Sequence, residues 1–228
     1  MRSRRIEEAR KIQERLRKSL RLVPLHRDRI RTVCGVDVSY LGDRSVIFAT
    51  AAVLSYPGLE LLEEKFSVHE TDFPYIPGYL AFREAPSILR TVALLTVPVD
   101  LFLVDGHGTA HPRRFGIASH IGVVSGLPAI GCAKKRLVGE YEEPSREKGA
   151  YTFLYHREEK VGAAVRTRDG KKPMFISPGH LADVESAVSV ALSATGRYRI
   201  PEPIRLAHAL TVRVRKDFRE NQEIPRRG

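Results

Sequence analysis

Two carboxylates sit in strand-like apolar runs, and both are in positions to do chemistry. In Leu101-Phe-Leu-Val-Asp105-Gly-His-Gly-Thr-Ala-His111-Pro-Arg-Arg114, four apolar residues in a row read as a central strand buried on both faces. That run leads directly into an acid, two glycines, two histidines and two arginines. Open α/β sheets hold ligands at the carboxyl ends of such strands. Glycine lets backbone approach a bound group closely, and the arginine fork matches phosphate. Asp105-Gly106 alone also suits an ordinary turn. A second run, Arg31-Thr-Val-Cys-Gly-Val-Asp37-Val-Ser-Tyr40, carries another acid within its apolar stretch. Two carboxylates brought together repel each other unless a cation lies between them. Hard oxygen donors with few nitrogens favour Mg²⁺, with Mn²⁺ as substitute, over zinc. Such an ion takes one or two protein carboxylates and leaves room for phosphate oxygens.

Other candidates are individually weaker. Glu84 follows a Pro-Gly loop near a helix start, where an acid also simply complements the helix dipole. His208 shares a helix with Ile204, Ala207 and Thr211, so its ring is expected to turn inward, where a core histidine is the ordinary case. Lys134, Lys135 and Arg136 come directly after an apolar strand and suit either a phosphate or a solvated basic turn. Cys34 and Cys132 lie far apart in apolar contexts and fit no metal spacing, so they read as small core residues.

The elements that must position these residues follow from periodicity. Ile6, Ala9, Ile12, Leu16 and Leu20 recur at helical spacing, giving an amphipathic helix over residues 2–20 whose basic face reads as solvated. Strands over 31–40, 45–55 and 59–68 are joined by Leu41-Gly-Asp-Arg44 and Tyr56-Pro-Gly58, the turn chemistry of an antiparallel meander. Thr71-Asp-Phe-Pro-Tyr-Ile-Pro-Gly78 breaks any regular element. Then come a helix from Tyr79 or Pro86 to Leu95, a strand at 100–104, a helix near 115–125 and a strand at 128–132. Short strands follow at 150–156, 161–167 and 173–177. A helix at 178–195 takes Ser177 as cap and Gly196 as stop, and another spans 202–216 from Pro203. The tail 217–228 is charged and reads as frayed. This order predicts a single α/β domain with a mixed five-stranded central sheet flanked by helices, the ribonuclease H-like arrangement. In that topology the middle of the first strand lies beside the end of the fourth, making Asp37 and Asp105 neighbours.

Composition narrows the partners. The 228 residues suffice for one sizeable core, and no apolar run is long enough to cross a bilayer. The basic, polar start has no apolar centre and so is no secretion signal; a cytoplasmic protein is expected. Thirty-eight Lys and Arg against 27 Asp and Glu leave a formal charge of +11, which suits nucleic acid. Nothing in the sequence calls for an oligomer, so a monomer is expected.

Taken together, the motifs resemble those of the endonuclease V family, the deoxyinosine-specific repair nucleases. The matching segments are Gly35-Val-Asp-Val-Ser-Tyr40, Phe73-Pro-Tyr-Ile-Pro-Gly-Tyr-Leu-Ala-Phe-Arg-Glu84, Asp105 through His120, Gly131-Cys-Ala-Lys-Lys-Arg-Leu137, Ser177-Pro-Gly-His-Leu-Ala-Asp-Val-Glu-Ser186, and Arg199-Ile-Pro-Glu-Pro-Ile-Arg-Leu-Ala-His208. They stand in family order over nearly the whole chain. The resemblance implies hydrolysis of the second phosphodiester bond 3′ to a deaminated base, in single- or double-stranded DNA, leaving 3′-hydroxyl and 5′-phosphate ends. Inosine-containing RNA is a further expected substrate. By position, Asp37 and Asp105 match the metal-binding aspartates, Glu84 the third catalytic acid, His208 the residue completing the metal site and Lys134 a lysine near the scissile phosphate. Tyr75, with Pro74, Ile76 and Pro77, matches the wedge that fills the gap left by the lesion. Leu80, Gly106, Ile117 and Leu137 match the pocket for the flipped base. No role follows for His107.

The residues suit these roles. A Pro-Tyr-Ile-Pro loop offers an aromatic and an aliphatic tip at low ordering cost. A structure-specific nuclease on the same fold would share the acids but not need the loop. A non-catalytic nucleic-acid-binding protein would account for the charge but not for acids inside apolar strands.

Overall fold

The computed structural model describes residues 2–41 and 45–223. The elements run α1 (Arg2–Arg17), β1 (Thr32–Leu41), β2 (Val46–Ser55), β3 (Leu61–Glu70), α2 (Leu80–Val92), β4 (Leu101–Val104), α3 (Ile117–Ser125), β5 (Ala129–Ala133), β6 (Tyr151–His156), β7 (Glu159–Val165), β8 (Met174–His180), α4 (Val184–Ser193) and α5 (Glu202–Glu223). Among the described residues the strands form one sheet in the order β3-β2-β1-β4-β5-β8-β7-β6. The expected sheet of five strands is therefore one of eight. The first five are contiguous and mixed as foreseen, with β1 antiparallel to β2 and parallel to β4. The three later strands extend the same sheet because β8 pairs antiparallel with β5, from Ala129↔His180 to Ala133↔Phe175.

Alternation along the strands feeds two cores. Leu101 and Leu103 of β4 face α4 and α5 with Val33 and Ile204. Phe102 and Val104 face α2 and α3 with Ala85, Ile88 and Ile121. All four β4 side chains are buried, as a strand covered on both faces requires.

Three expectations fail for physical reasons. Residues 178–180 were expected to open a helix, yet Ser177-Pro178-Gly179-His180 completes β8. Its groups serve the neighbouring loop: Ser177 Oγ accepts from Gly108 N at 2.9 Å, and Pro178 O accepts from Thr109 N at 2.8 Å. Helix α4 begins after Asp183, whose carboxylate accepts from Ser186 N at 2.8 Å in a capping box. The tail was expected to be frayed from residue 217, but α5 stays helical to Glu223 because Phe218 meets Phe48 edge-on at 5.2 Å. Residues 224–228 lie outside the described residues, as does the expected turn at Gly42, Asp43 and Arg44. On α1, Gln13 is buried at 2% exposure while Ile12 is 38% exposed, so the buried stripe is rotated from the one periodicity suggested. No helix among the described residues is long and apolar enough to cross a membrane.

Helix α5 presses its first turn onto β1 at Gly35, where a Cβ would lie 2.0 Å from the Pro203 carbonyl carbon. Gly35→Ala must push α5 off the sheet, and overpacking of this kind costs ~1–3 kcal/mol. A lowered urea midpoint is the expected result, with an unchanged midpoint showing that α5 can yield.

Candidate active site

Parallel pairing of β1 and β4 ends with Val36↔Val104, so Asp37 follows within β1 and Asp105 directly after β4 ends. Two groups hold Asp37 from α5: His208 Nδ1 and the Thr211 hydroxyl each lie 2.9 Å from its Oδ2. Burial raises the Asp37 pKa, those two bonds lower it, and the negative charge of Asp105 raises it further, with a net increase. Asp105 meets Lys134 Nζ at 2.5 Å. Lys134 leaves β5 with its carbonyl held by Arg199 Nη2 at 3.0 Å.

Glu84 reaches the same centre from α2. Its Oε1 accepts from the Tyr40 hydroxyl at 2.5 Å, and the Arg83 guanidinium lies 4.9 Å above the Tyr40 ring. Burial, then the charges of Asp37 and Asp105, push Glu84 up to about 7 against the lowering effect of Tyr40. Three acids from β1, α2 and the β4 loop thus feel one another's charge. Among the described residues no three His, Cys, Asp or Glu side chains form a ready-made metal cage. An oxygen-rich pair of carboxylates is nevertheless the donor set Mg²⁺ uses when water and phosphate complete its shell.

Beside the acids lies a cavity of about 190 Å³ whose walls include Tyr75, Ile76, Pro77, Leu80, Gly106, Ile117 and Leu137. Every residue expected in the base pocket lines it, as do three of the four residues expected to form the wedge; Pro74 does not. Tyr75 is 58% exposed and forms the tip of its loop. Ile76 is buried against Ala9 and Tyr79, so it anchors the loop instead of forming the expected second tip. His208 does not turn inward as expected but is 56% exposed at the rim, with its ring on Asp37.

Several contributors were not legible beforehand. Thr211 lies one helical turn beyond His208, a spacing that points to the same face. Tyr40 had no signal, since alternation puts it on the opposite face of β1 from Asp37. His107 bonds the Lys135 backbone, and burial lowers its pKa to about 4, keeping the imidazole neutral on the cavity wall.

The family model of Endonuclease V matches residues 14–209. Endonuclease V of Dictyoglomus turgidum is 48% identical over 208 residues, covering 91% of this chain and 90% of that protein. The crystal structure of Endonuclease V from Streptomyces avermitilis superposes with a TM-score of 0.86 at 43% identity, covering 92% of this chain and 93% of the other. Ciona intestinalis Endonuclease V, in complex with a 24mer DNA containing an inosine followed by a ribo-adenosine, superposes with a TM-score of 0.82 at 27% identity, covering 94% and 99%. These likenesses define a nuclease that acts on DNA. The chain belongs to the endonuclease V family.

Thr211→Val removes one of the two donors on the largely buried Asp37 carboxylate, which is 10% exposed. Leaving the carboxylate under-satisfied costs ~1–3 kcal/mol, so the denaturation midpoint should fall. An unchanged midpoint would mean that His208 alone satisfies the acid.

Proposed function

We propose that this enzyme repairs deaminated DNA by hydrolysing the second phosphodiester bond 3′ to deoxyinosine, leaving 3′-hydroxyl and 5′-phosphate ends. The observation that carries this reading is the adjacency of Asp105 and Gly106. One residue belongs to the acid centre and the next lines the cavity behind the Tyr75 loop. Inosine in the DNA bound by the Ciona relative supports the same substrate class. The frame is taken to be ribonuclease H-like, since β3-β2-β1-β4-β5 has that order and directionality.

In this mechanism Tyr75 enters the duplex and takes the place of the extruded base. Extrusion costs a few kcal/mol, and less for a poorly paired base, which favours hypoxanthine. Within the cavity, Gly106 leaves little room beside Ile117: a Cβ there would lie 2.5 Å from Ile117 Cγ2. Hypoxanthine lacks the 2-amino group of guanine, so tight walls favour it. Backbone N–H groups facing O6 would oppose the amino group of adenine with a donor.

Asp37 and Asp105 would hold Mg²⁺, or Mn²⁺ in its place, with His208 completing the site. When bound, the ion supplies Lewis-acid stabilisation of the phosphoryl oxygens and an acidified water. His208 and Thr211 orient Asp37 toward that position. Lys134, freed from Asp105, carries its ammonium to the charge developing on the scissile phosphate. Glu84, poised near neutrality, is the third catalytic acid, and Tyr40 fixes its orientation. The protein is expected to act as a monomeric single domain in the cytoplasm. Inosine in RNA is a second expected substrate, a reading favoured by the ribo-adenosine after inosine in the Ciona complex.

Asp37→Asn and Asp105→Asn should each abolish Mg²⁺-dependent nicking of a deoxyinosine duplex while most binding survives in a gel-shift assay; undiminished nicking removes the metal assignment. Tyr75→Ala should reduce the preference for lesion over undamaged DNA more than it reduces binding to undamaged DNA. Equal losses on both duplexes would count against the wedge.

A further inference from the structure

A second groove adjoins the cavity on the side of α1. Its volume is about 300 Å³, and Arg10, Gln13, Glu14, Arg17, Tyr79 and Arg113 line it. The four α1 residues recur at i, i+3, i+4 and i+7, which places them on one helix face. Gln13 also lines the base cavity, so the two spaces share that side chain.

The groove is built and stiff. Gln13 Nε2 donates to Phe115 O at 2.8 Å, and its Oε1 accepts from Arg113 Nε at 2.5 Å. Arg113 Nη2 also donates to Gly78 O at 2.5 Å, and the guanidinium lies 4.1 Å over the Tyr79 ring. Three arginines face one acid, Glu14, which is occupied by Arg10 at 2.9 Å. The groove is therefore cationic, with a wall already ordered at the base of the Tyr75 loop.

We propose that this groove binds the phosphodiester backbone of the nucleic-acid strand flanking the base in the adjoining cavity. The proposal rests on the function proposed above and adds a phosphate subsite on α1. Arg113 is fixed in the wall by Gln13, Gly78 and Tyr79, and the exposed Arg17 guanidinium beside it matches phosphate oxygens.

Fluorescence anisotropy of a labelled deoxyinosine duplex, titrated with salt, tests it. Arg17→Ala should weaken binding several-fold and reduce the slope of log K against log salt by ~0.9, one released phosphate contact. Glu14→Gln should act oppositely, tightening binding by freeing Arg10. Lys172→Ala, an exposed cation outside the groove, serves as the charge-matched control. An unchanged Arg17→Ala slope overturns the proposal, as does a Lys172→Ala effect of equal size. Binding of inorganic phosphate that is lost in Arg17→Ala, with the duplex titration unchanged, would also overturn it in favour of a free-anion site. Lesion-dependent nicking by the unchanged protein separately tests the underlying reading.

Discussion

Everything in the candidate active site depends on one parallel strand pair, which brings two mutually repelling carboxylates together. Pairing of β1 with β4 leaves Asp37 and Asp105 no freedom to separate, because the register is set by hydrogen bonds below them. The surrounding groups counter that repulsion. His208 and Thr211 donate to one acid, and Lys134 approaches the other. Burial first, and then the charges of both aspartates, raise the pKa of Glu84 beside them.

The sheet around this pair is arranged to allow close approach. Small residues line the route from β1 through the Asp105 loop to β8. A Cβ at Gly108 would lie 2.0 Å from Pro178 O, and one at Gly131 would lie 2.5 Å from Gly106 O. Backbone rests directly on backbone there, so β5 and β8 support the loop after Asp105, and Ala110 packs on Leu154 and Val161 beyond them. The three added strands are thus part of the support for the site.

Much of this was legible in the sequence because it is local or periodic. The β4 run, the acids and the proline-rich loop can be read from residue type and spacing, whereas the residues lining the cavity beside them followed only from the family resemblance. Pairing of β8 with β5 is not local: Ser177-Pro178 has the chemistry of a helix start, and only the neighbouring strand and loop make it a strand end. Gln13 is similar, a polar residue whose burial depends on partners at Gly78, Arg113 and Phe115 far along the chain. Tyr40 bonds Glu84 from the strand face opposite Asp37, which linear alternation hides.

Asp105 and Gly106 are joined by one peptide bond, with Cα atoms about 3.8 Å apart. If one holds the metal at the reacting phosphate and the other lines the pocket for the extruded base, the molecule contains a ruler whose length is covalent. Loop motion or a change of sequence context can then alter how often the enzyme engages, but not how far from the damaged base it cuts.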